Sequence, residues 1–293
     1  MLKRIFLYLK EMYPPSQLLA SLILSFCFLL CLSKIHGVPF PLAPNVFCGV
    51  VSFVWFALLL RIMDEFKDYE DDLRNYPNRP LPSGRVKKSD LKTFSAVVVA
   101  LIIVSNVFWK LQGLFAAVTF AYCLLMLKWF FMEKVIRKSL PLAFVTHHPV
   151  AYLVMVYLAA TFAEATGLPI LASPTLMLVP LVLGITNWEI SRKIRGPKEE
   201  TAYVTYSMIF GPRVAASLAL LCQVVTLAGM LLYFRATGVP GWFVALFLGL
   251  FFALWLPYFR FMKELTQGLR LKKWAEYIVI LTQFSVILAY FIF

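Results

Sequence analysis

Long apolar stretches, separated by short polar and basic segments, run along the whole chain. Nine of these stretches come close to the about 20 residues that an α-helix needs to cross a bilayer. Their approximate bounds are 16–36, 44–63, 91–111, 114–131, 140–163, 174–190, 214–234, 242–261 and 274–293. The pattern predicts an all-α integral membrane protein, a bundle of about nine transmembrane helices whose two termini lie on opposite sides.

Composition agrees with this fold class. Hydrophobic residues make up 61% of the 293 residues, against roughly 45–50% in a soluble domain. Residues 1–15 are amphipathic and basic, and we expect them to form an interfacial helix before the first span. The chain shows no clear internal repeat and no detachable soluble segment, so residues 1–293 are predicted to form a single transmembrane domain.

The five cysteines are expected to be small buried hydrophobic residues. All of them fall inside the apolar stretches, and their spacing fits neither a disulfide framework nor a CxxC metal site. They are Cys27, Cys31, Cys48, Cys123 and Cys222.

The distribution of charge predicts the orientation. All but three of the 28 Lys and Arg residues lie in or beside the N-terminal segment and the connections that follow the even-numbered spans. The exceptions are Lys34, Lys110 and Arg235. Because basic segments stay on the cytoplasmic side, we expect the N-terminus and these connections to be cytoplasmic.

The formal net charge of +13 favours partners that carry negative charge. It favours membrane lipids with anionic headgroups, and it is compatible with an anionic substrate. No basic arm extends beyond the membrane segments, so a nucleic-acid partner is not predicted.

A cluster of carboxylates follows the second span in the sequence RIMDEFKDYEDD. Asp64, Asp68 and Asp72 are four residues apart, which places them on one stripe of a continued helix. Like charges at this spacing repel one another, and a divalent cation would remove the repulsion. Mg²⁺ binds carboxylates together with waters and phosphate oxygens, so the stripe predicts a magnesium site for a diphosphate substrate.

The plain alternative is a solvated helix end of mixed charge. We assign that role to the three acidic residues off the stripe, and expect them to be solvated or paired with Lys67 and Arg74. They are Glu65, Glu70 and Asp71.

The next segment, NYPNRPLPSGRVKKSDL, contains three prolines and a glycine. These residues end the helix and predict an ordered loop over the carboxylates. Its basic groups, Arg79 among them, suit a diphosphate beside a bound metal.

The DxxxDxxxD pattern followed by NRPLPSG resembles the UbiA-type intramembrane prenyltransferase superfamily. The first motif of that family is usually NxxxDxxxD, and Asp64 stands where the family has Asn. The resemblance implies a central cavity that opens to the cytoplasmic face. It also implies Mg²⁺-dependent ionisation of an isoprenyl diphosphate and transfer of the prenyl group to a lipophilic or aromatic acceptor. Connections 64–90, 128–139 and 191–213 would form the active site.

The family also carries a Tyr and a downstream Lys that contact the diphosphate. In AYCLLMLKWF the resemblance assigns these roles to Tyr122 and Lys128, which are six residues apart rather than the commonest four.

The second family motif, DxxxD at the end of the sixth span, is replaced here by ITNWEISRKIRG. Helical spacing places Asn187, Ser191 and Arg195 on one stripe. The first two look like part of the Asn/Ser/Glu metal triad of class I terpene synthases, and Glu189 is a further oxygen donor. The basic residues of the segment would neutralise diphosphate charge: Arg192, Lys193 and Arg195. An ordinary basic cytoplasmic loop is the alternative.

Two other functions stay open at this point. With the second motif altered, the allylic cation could be captured by its own double bonds, as in a UbiA-type terpene cyclase. A cation transporter would instead need ionisable residues at the bilayer midplane of several spans. In this sequence the charged residues concentrate at one membrane interface, which argues against a transporter.

Overall fold

The computed structural model describes residues 1–170, 175, 178–201, 203–265 and 268–293. The chain divides into two compact units. Unit 1 contains Met1–Leu29 and Pro41–Ile170, and unit 2 contains Leu30–Phe40 and Leu171–Phe293. Across the described residues the regular structure is helical, which confirms the predicted fold class.

Unit 1 begins with an amphipathic helix, and its later helices include long apolar segments and short ones of four to eight residues. A 3₁₀ turn, Trp129–Phe131, follows α6. The helices are α1 Leu2–Met12, α2 Pro15–Ile35 (shared with unit 2), α3 Pro44–Lys67, α4 Tyr69–Asn75, α5 Lys88–Asn106, α6 Lys110–Leu127, α7 Glu133–Ile136, α8 Leu140–His147 and α9 Pro149–Thr166.

Unit 2 continues with helices of the same kind. The hydrophobic segment Gly241–Glu264 is divided between two helices, with Pro257 in the first turn of the second. The helices are α10 Val179–Ser191, α11 Tyr206–Phe210, α12 Pro212–Thr237, α13 Gly241–Ala253, α14 Leu256–Glu264 and α15 Leu271–Ile292.

Eight helical segments in the described part of the chain are long and apolar enough to cross a membrane. They correspond to eight of the nine predicted spans. The remaining prediction, 174–190, begins among residues outside the described part, and its described portion forms α10. Two of the eight segments are each divided between two helices: Leu140–Thr166 contains the junction of α8 and α9, and Gly241–Glu264 contains that of α13 and α14.

A buried polar network joins the helices of unit 1. The Asn106 side-chain amide donates to Ser52 Oγ at 2.8 Å, and its oxygen accepts from Tyr157 Oη at 2.8 Å and Gln112 Nε2 at 3.0 Å. All four residues are buried. Because polar groups within apolar surroundings need partners, this network fixes which faces of α3, α5, α6 and α9 meet.

Glu164 lies near the end of α9 and contacts the start of α6. Its carboxylate accepts from the backbone N–H groups of Lys110 and Gln112, both at 2.8 Å. These are free donors in the first turn of α6, so a carboxylate is favourable there.

A glycine permits the closest approach of α3 to α9. A Cβ atom at Gly49 would lie 2.5 Å from Thr161 Cγ2 and 2.9 Å from Thr161 Oγ1. The Asn45 side chain donates to Thr161 O at 2.9 Å in the same contact. Small residues serve this purpose in membrane bundles, where helix association depends on close packing.

We predict that Gly49→Ala lowers the free energy of unfolding by about 1–3 kcal/mol, because the added methyl group overpacks this contact. Thr161→Ala in the same chain should restore most of the loss. Thermal unfolding of the purified protein in detergent measures both effects.

The matched control is Gly249→Ala on α13, where an added Cβ meets no atom within 4 Å. This change should leave stability the same or raise it by up to about 1 kcal/mol through helix propensity. Equal losses at both glycines would show that the close approach is not the cause.

Candidate active site

The aspartate stripe lies where α3 meets α4. Asp68 ends α3 with φ −100° and ψ 12°, so the predicted single helix is interrupted there. Hydrogen bonding nevertheless continues across the junction, since Asp68 N donates to Asp64 O and Asp72 N donates to Asp68 O, both at 2.9 Å. The three aspartates therefore keep their four-residue register past the bend.

The three carboxylates have different surroundings. The Asp64 side chain is 46% exposed and accepts from Lys67 Nζ at 3.0 Å. Asp72 is buried, and both of its oxygens lie 2.7 Å from Arg79 Nη1. Burial raises the pKa of the half-buried Asp68 to about 6; Lys67 lowers it, and the charges of Asp64 and Asp72 raise it further. Asp68 thus carries the least compensated charge of the stripe.

The loop after α4 is ordered and brings Arg79 back to the stripe. The Arg79 guanidinium lies 3.9 Å from the centre of the Tyr76 ring, which holds it beside Asp72. Within the loop, Ser83 N donates to Arg79 O at 3.0 Å. Gly84 adopts φ +75°, a conformation that favours glycine. The turn residues in the sequence thus account for the fold of this loop.

The expectation for one off-stripe acid is wrong. Glu65 is not solvated, nor is it paired with Lys67 or Arg74; its carboxylate is fully buried and forms an ion pair with Arg61. The expectation failed because Arg61 lies one helical turn earlier, inside the predicted span, and supplies the counter-charge.

A second off-stripe acid ties another connection to the stripe. Asp71 pairs with Arg137 at 3.0 Å, and Arg137 also contacts Glu133 at 3.1 Å. The connection between α6 and α8 is thereby anchored to α4.

Tyr122 and Lys128 lie at the end of α6. Tyr122 Oη donates to Thr146 O at 2.8 Å, and its ring meets Phe130 edge-on at 5.4 Å. Lys128 is exposed and caps the helix. The stripe is instead approached by Trp129, whose ring centre lies 5.0 Å from Lys67 Nζ.

The turn Trp129–Phe131 is a feature that sequence reasoning missed. All three residues have positive φ angles, of 50°, 51° and 60°. Left-handed backbone costs roughly 1–2 kcal/mol for each non-glycine residue, so packing must hold the turn in place. The His147 ring supplies part of that packing, at 5.1 Å from Trp129 and 5.8 Å from Phe130. No Gly, Asn or Asp marks the position in the sequence.

In unit 2, Asn187 and Ser191 belong to a buried network. Ser191 Oγ donates to Asn187 Oδ1 at 3.1 Å and lies 2.9 Å from Tyr258 Oη. The Gln223 amide also donates to Asn187 Oδ1 at 3.1 Å. The two oxygens that were predicted as metal ligands are thus already hydrogen-bonded to side chains of unit 2. Sequence reasoning missed Gln223 and Tyr258, although a glutamine inside an apolar span is a usable signal.

The other predicted residues of unit 2 lie near the end of α10. Glu189 pairs with Arg192 at 2.6 and 2.8 Å and with Lys193 at 3.3 Å. Because α10 ends at Ser191, Arg195 does not continue the predicted stripe. Its side chain donates to Thr201 Oγ1 at 2.8 Å instead.

The donor atoms of unit 1 suit a magnesium ion that is completed by its substrate. Among the described residues, no group of three or more His, Cys, Asp and Glu side chains is arranged to hold a metal. Asp72 is paired with Arg79 and Asp64 with Lys67, so Asp68 is the carboxylate of the stripe without an ion pair among the described residues, and the exposed Asp64 is the second carboxylate donor. Mg²⁺ characteristically takes one or two carboxylates and fills its other positions with waters and phosphate oxygens. The residues therefore fit the ion.

Comparison with known proteins gives one family and one fold. Residues 21–280 match the model of the UbiA prenyltransferase family. A solved structure of a digeranylgeranylglyceryl phosphate synthase in membranes is similar in fold, with a TM-score of 0.67 and 19% sequence identity. The similarity covers 98% of this chain and 99% of that one. No curated protein matches the sequence.

We predict a coupling of about 1–3 kcal/mol between Asp72 and Arg79 in a double-mutant cycle built from Asp72→Asn and Arg79→Gln. Arg79→Gln alone should cost more than the double variant, because it leaves a buried carboxylate without its cation. Unfolding of the four proteins in detergent provides the measurement.

The exposed pair Arg260 and Glu264, 3.2 Å apart, serves as the control cycle. Its coupling should stay below about 0.5 kcal/mol, as for other exposed pairs one helical turn apart. Similar small couplings at both sites would show that Arg79 does not hold Asp72.

Proposed function

We propose, from the premise that this chain belongs to the UbiA prenyltransferase family, that it ionises an isoprenyl diphosphate and transfers the prenyl group to a lipophilic or aromatic acceptor. The observation that carries the proposal is the aspartate stripe at the α3–α4 junction. There Asp68 has a raised pKa, while Asp72 is already neutralised by Arg79. A site with unbalanced negative charge on one side and a fixed guanidinium on the other suits a cation together with a diphosphate.

In this proposal Asp64 and Asp68 hold Mg²⁺. The bound ion would neutralise charge that develops on the diphosphate as the allylic C–O bond breaks. Asp72 fixes Arg79, whose remaining N–H groups can donate to the phosphate oxygens. Tyr122 and Lys128 remain predicted diphosphate contacts. Lys128 can move onto an anion more easily than Tyr122, since it is exposed and Tyr122 is bonded to Thr146 O.

For unit 2 we propose a supporting role for the buried pair Asn187 and Ser191. Their oxygens are engaged by Gln223 and Tyr258, so metal binding there would require those bonds to break. The network fixes the last turn of α10. The basic residues that follow it remain predicted contacts for an anionic substrate: Arg192, Lys193 and Arg195. Glu189 is compensated by two of these cations and would be a weak metal ligand.

We also propose that the aspartate stripe faces the cytoplasm. The support is the sequence distribution of Lys and Arg, which concentrates basic residues in the N-terminal segment and the even-numbered connections. This orientation places the charged isoprenyl diphosphate in water and its tail among the apolar helices. The C-terminus then lies on the opposite side.

A terpene cyclase is the second candidate, and one observation favours it. The position of the second aspartate motif is occupied by the neutral residues Asn187 and Ser191 in a buried network. An altered second site is compatible with a cation that is captured by its own double bonds.

We predict that Asp68→Asn lowers cleavage of C15 and C20 prenyl diphosphates at least about 100-fold, because it removes a carboxylate that holds the cation. Chelation with EDTA should abolish wild-type activity, and added Mg²⁺ should restore it. Release of diphosphate from purified protein in detergent measures both effects.

The control is Glu70→Gln, which removes an exposed carboxylate of α4 that lies off the stripe. Its activity should stay close to that of the wild type. Equal losses in both variants, or full activity of Asp68→Asn, would contradict the role given to the stripe.

The choice between transferase and cyclase is tested without an acceptor. For a prenyltransferase we expect slow turnover of C10, C15 and C20 diphosphates in Mg²⁺ buffer and no terpene hydrocarbon among the products. Added lipophilic aromatic acceptors should raise the rate and yield prenylated products. Mass spectrometry of extracted lipids makes the distinction, and abundant hydrocarbon or cyclic alcohol without acceptor would identify a cyclase.

A further inference from the structure

The N-terminal helix α1 is built into unit 1. Ile5 and Tyr8 of this helix are buried, whereas Leu2 and Phe6 are 79% and 71% exposed. The exposed apolar face suits the membrane interface. The buried face packs against unit 1 and brings a tyrosine hydroxyl into its interior.

Two bidentate ion pairs fix α1 at both ends. Arg4 donates to Asp90 at 2.5 and 2.9 Å, and Arg85 donates to Glu11 at 2.5 and 2.9 Å. Arg85 also donates to Asn78 O at 2.6 Å, in the same loop that carries Arg79. The helix is thus tied to the segment that follows the aspartate stripe, at two points about two helical turns apart.

Tyr8 lies between these two anchors, with a side chain that is 0% exposed. Its hydroxyl has no hydrogen-bond partner among the described residues. Burial raises the pKa of this hydroxyl, and the charges of Arg61, Glu65 and Asp64 near the end of α3 also act on it. The Arg85 anchor ties the same helix to the loop that carries Arg79, so α1 belongs to the end of unit 1 that holds the stripe.

Glu65 Oε2 is the other buried side-chain atom near this point without a partner in the described part of the chain. Since neither atom has a partner, the Tyr8 hydroxyl and Glu65 Oε2 do not bond to each other. A buried donor without an acceptor costs free energy, and it calls for an explanation such as a catalytic role, an ordered water or a bound ion. A diphosphate oxygen at the stripe would supply the acceptor that Tyr8 lacks.

We propose that Tyr8 is a substrate-binding residue whose hydroxyl donates a hydrogen bond to a diphosphate oxygen, and that the two arginine–carboxylate pairs hold α1 in the position this bond requires. The inference rests on the proposed function, because it takes the diphosphate to bind at the aspartate stripe. It adds helix α1 to the site. The motifs in the sequence do not indicate that this helix takes part.

The test compares Tyr8→Phe with the full-length wild type, using binding of inorganic pyrophosphate in the presence of Mg²⁺ by calorimetry and unfolding without ligand. We expect pyrophosphate to bind roughly tenfold more weakly, as for loss of a hydrogen bond to a charged group. The melting temperature should stay the same or rise, since the hydroxyl forms no bond in the free protein.

Tyr13→Phe is the matched control, because the Tyr13 hydroxyl already lies 3.1 Å from Ser21 Oγ. It should leave pyrophosphate affinity unchanged. Glu11→Gln, which weakens the anchor to Arg85, should reduce affinity in the wild type but have little further effect in Tyr8→Phe.

The outcomes separate the two proposals. If the wild type binds pyrophosphate and cleaves prenyl diphosphates while Tyr8→Phe binds equally well, only the role of Tyr8 is overturned. A lower melting temperature of Tyr8→Phe with unchanged affinity also overturns it and indicates a structural hydroxyl. If the wild type neither binds pyrophosphate nor cleaves prenyl diphosphates, the proposed function fails and this inference fails with it.

Discussion

A charged side chain at the end of an apolar helix must meet an opposite charge or water, and this constraint organises the polar end of unit 1. Three acidic residues there pair with arginines from three different segments. Arg61 from α3 pairs with Glu65, Arg79 from the following loop pairs with Asp72, and Arg137 from the connection after α6 pairs with Asp71. The last two pairs fix loops to the helix junction. Asp68, in the middle of the stripe, is left with no ion pair among the described residues, and burial and the neighbouring aspartates raise its pKa.

In the interior of each unit, buried neutral polar side chains also need partners. The interior of unit 1 holds a network of one asparagine, one glutamine, one tyrosine and one serine, centred on Asn106. The interior of unit 2 holds a network of the same four residue types, centred on Asn187. Neutral side chains of this kind can be buried at modest cost when they bond to one another, whereas carboxylates would need counter-charges. The absence of aspartate from the second motif position is therefore consistent with the buried location of Asn187.

The sequence indicated the features that depend on local pattern. Apolar length identified the spans, four-residue spacing identified the aspartate stripe, and the prolines with Gly84 indicated the loop that carries Arg79. Other features depend on contacts between distant segments and leave no local signal. The left-handed turn at Trp129–Phe131 contains only bulky residues and is held by neighbours such as His147. Likewise, the burial of Glu65 and the end of α10 before Arg195 are set by packing that no spacing rule describes.

The ion pairs of these segments leave the end of α3 and the end of α10 with different balances of charge. At the α3–α4 junction, Asp68 has no ion pair among the described residues, and Asp64 is paired only with the adjacent Lys67. At the end of α10, Glu189 is balanced by Arg192 and Lys193, and further basic residues follow. Under the proposed function these ends have different tasks, one binding a cation and the other offering positive charge to an anion. Because ionisation of a prenyl diphosphate moves charge onto the leaving group, fixed positive charge stabilises the transition state more than the ground state.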